Sequence, residues 1–341
     1  MLRKVFLAGG HVTPFVGKGS PNFQKGLKGL KEYFAESIQG AFRETGAKPE
    51  AIDRIYVGNF AGELFNSQGH LGAAVAAAHP ALLHRPSMRV EAACASGGLA
   101  CAEAVRAICA GDDIVLAVGV EVQTEVKLPL EKAVAGPEFL KNEELKPFVR
   151  ATHCSQVSDG GAAAIFVSEE GLRKCGLSKH QAVEIVATDY GAGDLWSDPE
   201  DLAVMDTTRA VVSRMLASAG VKPSDLDVAE VHDCFAIAEI LMYEAIGLAP
   251  PGKGTELVKS GATSLEGKIP VNTGGGLISF GHPVGATGVK QVLEIYRQMK
   301  GLCGDYQMKS QPNLGLCVNM GGDDKTCSAM LLRNTAPASK L

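Results

Sequence analysis

The chain has 341 residues and a mass of 35.6 kDa, room for two domains of ordinary size. Hydrophobic residues make up 46% and charged residues 21%, which excludes a disordered polymer and provides for a buried core. Lys plus Arg number 33 against 38 Asp plus Glu, and the net charge of −5 excludes nucleic-acid binding by bulk charge.

The first residues carry an apolar patch too short for a secretory leader, and no apolar run approaches the roughly 20 residues of a membrane helix. Nine cysteines occur without a Cys-x-x-Cys pair. That pattern points to free thiols in a reducing compartment and away from a disulfide framework or a metal site. In chain order, residues 4–8 predict a strand and residues 30–43 a helix, closed by Gly46 in the position a helix C-terminus favours. Residues 54–58 predict a second strand. An apolar stretch from Val90 runs into Cys94 and then into a helix reaching about Cys109, and strands follow at 114–118 and 158–167.

The series then repeats. Residues 45–53 (Thr45, Gly46, Ala47, Lys48, Pro49) have a counterpart at 219–227 (Ala219, Gly220, Val221, Lys222, Pro223). The second copy has its own opening strand (182–187), helix (207–218) and following strand (228–232), and a closing strand near 322–332 that parallels 158–167. Such ordered recurrence is the mark of a duplicated unit. Strands alternating with helices predict an α/β sheet covered on both faces. The junction of the two halves is where chemistry is expected.

Three segments carry that chemistry. Cys94 sits at a strand–turn–helix elbow among small residues (Ala92, Ala93, Ala95, Ser96, Gly97, Gly98), where a helix N-terminus is expected to lower a thiol pKa. A buried, inert cysteine is the competing reading; Cys101 and Cys109 on the same helix read that way. His232, Asp233 and Cys234 end a strand and enter the helix 236–246; Asp233 is equally suited to be its N-cap. His282 lies between Gly281 and Pro283 in the Gly-rich segment 272–288, which has neither the Lys-Ser/Thr ending of a P-loop nor GxGxxG spacing. Together these supply a thiol nucleophile, a base and oxyanion donors.

With these motifs in this order, from Val5 to about Leu332, the chain resembles the thiolase family. The resemblance is to the branch of the sterol-carrier-protein-x and archaeal acetoacetyl-CoA thiolases, marked by His232-Asp233-Cys234-Phe235, the Gly281-His282-Pro283 turn and Asn319-Met320-Gly321-Gly322. It implies an α/β duplicated thiolase fold, two similar βαβαββ halves in an α/β/α/β/α layering. The N-terminal half would be residues 1–178, with a shortened loop region at 121–153; the C-terminal half would be 179–334, and 335–341 a tail. It also implies an acyl-CoA acyltransferase that thiolyses 3-ketoacyl-CoA, or condenses acetyl-CoA in reverse, through a Cys94 acyl-enzyme.

In that scheme His282 takes the Cys94 proton. One oxyanion hole lies between His232 and His282, and a second is made by the backbone N–H groups of Cys94 and Gly321. Most of the family carry an acid/base thiol at the position of Asn319; here the resemblance assigns that role to Cys234. Coenzyme A is implied as substrate, with no permanently bound cofactor and no metal. A homodimer or homotetramer is implied, with neither nucleic acid nor a membrane span. The short loop region leaves room for an acyl-CoA-binding or scaffold protein with little turnover. Ser339-Lys340-Leu341 matches a peroxisomal import signal, so a peroxisome-type organelle and β-oxidation are expected, with cytoplasm or mitochondrion otherwise.

Overall fold

The computed structural model describes residues 3–21, 23–124 and 142–335. Part of the expected loop region 121–153, and residues 336–341 with Ser339-Lys340-Leu341, lie outside these.

Nine strands form a continuous sheet in the order β4-β3-β5-β6-β1-β7-β10-β9-β8, and a short tenth, β2 (Val16–Gly17), pairs with β6. Five belong to the first half: β1 (Val5–Val12), β3 (Arg54–Gly58), β4 (Ser87–Val90), β5 (Ile114–Glu121) and β6 (Ser158–Val167). Four belong to the second: β7 (Val183–Ala192), β8 (Val228–Glu230), β9 (Leu314–Gly321) and β10 (Thr326–Asn334). The two sets meet at β1 and β7, antiparallel through Val5, Phe6 and Leu7 against Ile185, Glu184 and Val183. Moving outward from that seam, β6 and β10 are antiparallel to their neighbours, and β5 and β9 follow. Next come β3 and β8, parallel to β5 and β9 respectively. Even the outermost strand β4 has a counterpart, a parallel bridge from Val271 to Ala229 beside β8. The repeat in the sequence is thus a repeat in topology.

The principal helices are numbered α1 (Leu30–Thr45), α2 (Ser96–Ala110), α3 (Asp206–Ala219), α4 (Ala236–Ala245), α5 (Gly276–Phe280) and α6 (Val284–Lys300). Helix α1 covers one face of β1, β5 and β6, and α3 covers β7, β9 and β10. Gly46 and Gly220 end these two helices in left-handed conformation, a geometry glycine adopts without steric cost. Helices α2 and α6 lie against each other and against strands of both halves, so the half-sheets close over them. The layers therefore run α1, first half-sheet, α2 with α6, second half-sheet, α3. Three apolar cores fill the spaces between, the central one built from residues such as Ala104, Ile108, Val292 and Leu293.

The sequence predicts no membrane span, yet residues 93–110 are long and apolar enough, by length and composition, to cross a bilayer. In the fold this stretch is the elbow and α2, mostly buried as the central core helix.

Candidate active site

The N-termini of α2 and α6 meet at backbone distance. A Cβ on Gly97 would lie 2.6 Å from the Gly285 carbonyl oxygen, and one on Gly288 would lie 2.2 Å from the Gly98 nitrogen. Absence of side chains here lets two loop–helix junctions, one from each half, face each other.

Cys94 is set by the turn between β4 and α2. The Ala95 N–H donates to the Ala92 carbonyl (2.9 Å), and Ser96 Oγ receives the Ala92 N–H (2.9 Å) while donating to the Ala93 carbonyl (2.6 Å). Ala93 takes φ of +49°, a left-handed conformation costing an alanine on the order of 1 kcal/mol. The tight turn leaves the Cys94 side chain partly exposed at the mouth of α2.

His282 precedes α6. Its backbone N–H donates to the Gln156 carbonyl (3.1 Å), and its carbonyl accepts from Gln123 Nε2 (2.9 Å). In the ring, Nδ1 lies 2.7 Å from Thr287 Oγ1, whose own hydrogen is directed at the Pro283 carbonyl (3.0 Å). With that hydrogen engaged, Thr287 accepts from Nδ1–H, and Nε2 is left with its lone pair.

His232 is fully buried beyond the end of β8. Its Nδ1 is 3.1 Å from Asn319 Nδ2 on β9. Asn319 also receives the Gly98 N–H on Oδ1 (3.0 Å) and donates from Nδ2 to the Cys94 carbonyl (3.0 Å). The two rings are 5.0 Å apart between centroids at an interplanar angle of 80°. One ligand-type atom from each of Cys94, His232 and His282 falls within 4.8 Å of the others. Neither Nε2 has a hydrogen-bond partner among the described residues. The sulfur and both imidazoles thus converge on one place, although their residues are 50 to 188 positions apart in sequence.

Electrostatics differ from the sequence expectation at Cys94. Burial pushes its thiol pKa above the ordinary value, outweighing the backbone N–H of Gly322 that faces the sulfur; the nearby Glu121 carboxylate adds to the rise. The expected lowering by the helix end therefore does not prevail. Burial brings His282 down to about 4 and holds His232 well below the ordinary histidine range, so both rings are neutral at pH 7. Cys234 is pushed up to about 12, mainly by burial and then by the nearness of Cys94, and keeps its proton.

Gly321, expected as an oxyanion donor, packs flat on the elbow: a Cβ there would lie 2.3 Å from the Ala92 carbonyl oxygen. The backbone N–H groups beside the sulfur are those of Gly322, the next residue along, and of Cys94 itself. Asp233 does not cap α4, whose N-cap is Phe235. Its carboxylate instead receives the N–H groups of Leu277 (2.7 Å) and Ile278 (3.4 Å) at the start of α5, tying the Cys234 segment to the Gly-rich turn. Cys317 is buried within β9, away from the mouth.

Sequence reasoning missed three supports. Thr287 orients His282. Asn319 holds His232. Glu121, buried, accepts from the backbone N–H groups of Phe60 (2.8 Å), Ala61 (3.1 Å) and Gly285 (3.0 Å), pinning the start of α6. In the sequence, the signal for Asn319 was its place in a family motif that usually holds cysteine; for the other two no signal was present.

The family model described as thiolase, N-terminal domain, matches residues 5–149, and that described as thiolase C-terminal domain-like matches residues 193–334. An acetyl-CoA acetyltransferase of Methanothermobacter thermautotrophicus is 30% identical over 361 aligned positions, covering 88% of this chain and 93% of the relative. One from Methanocaldococcus jannaschii is 31% identical over 384 positions, covering 93% and 97%. That alignment is longer than this chain, so it opens gaps on this chain's side. Sterol carrier protein 2 of Oryctolagus cuniculus is 40% identical over 196 residues, 54% of this chain and 36% of the relative. Among solved structures, human mitochondrial 3-ketoacyl-CoA thiolase in complex with CoA superposes with a TM-score of 0.67 at 18% identity, covering 98% of this chain and 99% of that one. An Ltp2-ChsH2(DUF35) aldolase reaches 0.75 at 17%, covering 99% of each. At such identities these structures establish the shared fold.

Proposed function

The chain belongs to the thiolase family, and we propose that it is an acyl-CoA acyltransferase working through a Cys94 acyl-enzyme, with coenzyme A as substrate. The observation carrying this reading is the convergence of Cys94, His232 and His282 within 4.8 Å, with both Nε2 atoms lacking a hydrogen-bond partner among the described residues.

In thiolysis, His282 Nε2 takes the Cys94 thiol proton, and the thiolate attacks the 3-keto carbon of a 3-ketoacyl-CoA. The alkoxide so formed is received by the backbone N–H of Cys94 and the Gly321-Gly322 turn. The bond between C2 and C3 breaks, leaving the acyl group on Cys94 and acetyl-CoA as its enolate. The enolate oxygen sits between His232 Nε2–H and the newly protonated His282 Nε2. Cys234, a protonated thiol at neutral pH, delivers its proton to the enolate carbon. The Cys234 thiolate takes the thiol proton of the incoming coenzyme A, whose sulfur attacks the thioester; Cys94 leaves as thiolate and recovers its proton from His282. The same groups run in reverse for condensation.

The test is turnover of acetoacetyl-CoA with free coenzyme A, followed by loss of enolate absorbance. Thiolysis is expected, and Cys234→Ala should slow turnover by about 10²–10⁴-fold, the usual weight of a general acid, while leaving Cys94 acylation intact. Acyl-CoA binding without turnover would instead favour the scaffold reading; an unchanged rate in Cys234→Ala would remove its role.

A homodimer or homotetramer belongs to the same proposal. Edge strand β4 pairs with β3 on one side, exposes Met88, and leads straight into the elbow. Light scattering on the purified chain, giving a monomer mass, would contradict it. β-Oxidation in a peroxisome-type organelle is the setting that Ser339-Lys340-Leu341 supports; a fluorescent reporter carrying these residues, if it stayed cytosolic, would contradict that.

A further inference from the structure

We propose that Asn319 is a positioning residue that fixes the proton of His232 on Nε2, making that ring an obligatory hydrogen-bond donor to the substrate oxygen. The inference deepens the acyltransferase reading and rests on it for the identity of that oxygen; the proton placement itself rests on the hydrogen-bond network.

The argument is one of forced donors and acceptors. A backbone N–H can only donate, so the Asn319 atom 3.0 Å from the Gly98 nitrogen is the amide oxygen. A carbonyl oxygen can only accept, so the atom 3.0 Å from the Cys94 oxygen is the amide nitrogen. The Asn319 amide therefore has one orientation. Its NH2 group has two hydrogens; one goes to Cys94, and the other faces His232 Nδ1 at 3.1 Å. That nitrogen must accept. A neutral imidazole accepting at Nδ1 carries its hydrogen on Nε2.

His282 is in the opposite state. Thr287 accepts its Nδ1–H, so its Nε2 offers a lone pair. The two Nε2 atoms, neither with a partner among the described residues, are thus unlike: one is a donor fixed by the Asn319 amide, the other a base when the rotatable Thr287 hydroxyl gives its hydrogen to the Pro283 carbonyl. Two rings of identical composition are divided into these roles by an amide and a hydroxyl.

Asn319 touches neither substrate nor reacting atoms; it acts through His232. Its three contacts also fasten the Cys94 carbonyl and the first turn of α2 to the same amide, so the nucleophile and the donor ring move as one unit. A thiol at this position has one weak donor and could not serve the Gly98, Cys94 and His232 groups together.

The measurement is a long-range 1H–15N correlation spectrum of the uniformly labelled full chain. The His232 ring signals are assigned by their loss in His232→Gln, and those of His282 by their loss in His282→Gln. The wild-type protein should show His232 with Nδ1 in the unprotonated nitrogen range and Nε2 in the protonated range, and His282 the reverse. In Asn319→Asp the nearly isosteric carboxylate keeps the acceptor for Gly98 but presents an acceptor to Nδ1. The His232 tautomer should reverse, and kcat should fall about 10²–10³-fold, the loss typical of one oxyanion donor, with KM for acetoacetyl-CoA changed less than threefold. A wild-type His232 protonated at Nδ1 overturns the proposal, even if Asn319→Asp fails to fold. So does an Asn319→Asp protein that folds with reversed tautomer and unchanged kcat. If the acyltransferase reading itself fails, the wild-type chain shows no turnover while the tautomer result stands.

Discussion

Cys94 and His282 are both neutral at rest, because burial raises the thiol and depresses the imidazole to about 4. The pair is therefore not a preformed thiolate–imidazolium. The pH consequence has a definite sign. The base must be unprotonated, and a group with pKa about 4 loses that form as pH falls through 4. The rate of Cys94 acylation should therefore be flat between pH 5 and 7; a fall centred near 6.5, the ordinary histidine value, would contradict the neutral-pair account. The positions of Cys94, His232, Cys234 and His282 at element ends were legible in the sequence, Cys94 and His282 beside small residues and His232 and Cys234 at a strand-to-helix junction. Their electrostatics were not, because the depth of burial depends on walls contributed by the opposite half. The same holds for Asn319, whose partners Gly98 and Cys94 are more than 220 positions away.

At the scale of elements, the site is the product of two helices packed side by side, whose N-terminal turns are brought together by glycines. A Cβ on Gly119 of β5 would lie 2.0 Å from the Gly285 carbonyl oxygen, which is backbone and cannot swing aside. Gly285 is also held by Glu121 at the end of the same strand, so β5 fixes the start of α6 and with it His282. Gly119→Ala should cost about 1–3 kcal/mol of stability by overpacking and lower kcat by displacing His282. Chemical denaturation and steady-state rates check both, and a variant with wild-type stability would sink the close-contact argument. Element positions were largely readable from periodicity and caps: the strand expected at 54–58 is β3, and the helices expected at 30–43 and 207–218 are α1 and α3 with slightly longer ends. The close approach of α2 and α6 was not readable, since glycines there serve a contact between segments far apart in the chain.

At the scale of the molecule, duplication explains why one site arises from two similar halves. The half-sheets join through β1 and β7 and fold over a shared pair of helices, so each half delivers one helix N-terminus to the centre. The first half brings the nucleophile; the second brings both histidines and Cys234. Recurrence of 45–53 at 219–227 revealed the repeat, but the pairing of the halves across the seam needed three-dimensional contacts. The most direct test of the whole account is intact-protein and peptide mass spectrometry after brief incubation with acetoacetyl-CoA, before coenzyme A is added. The account predicts a single acetyl adduct on the peptide bearing Cys94, absent in Cys94→Ala; an adduct that persists in that variant on another cysteine, or no adduct on a folded protein, would contradict it.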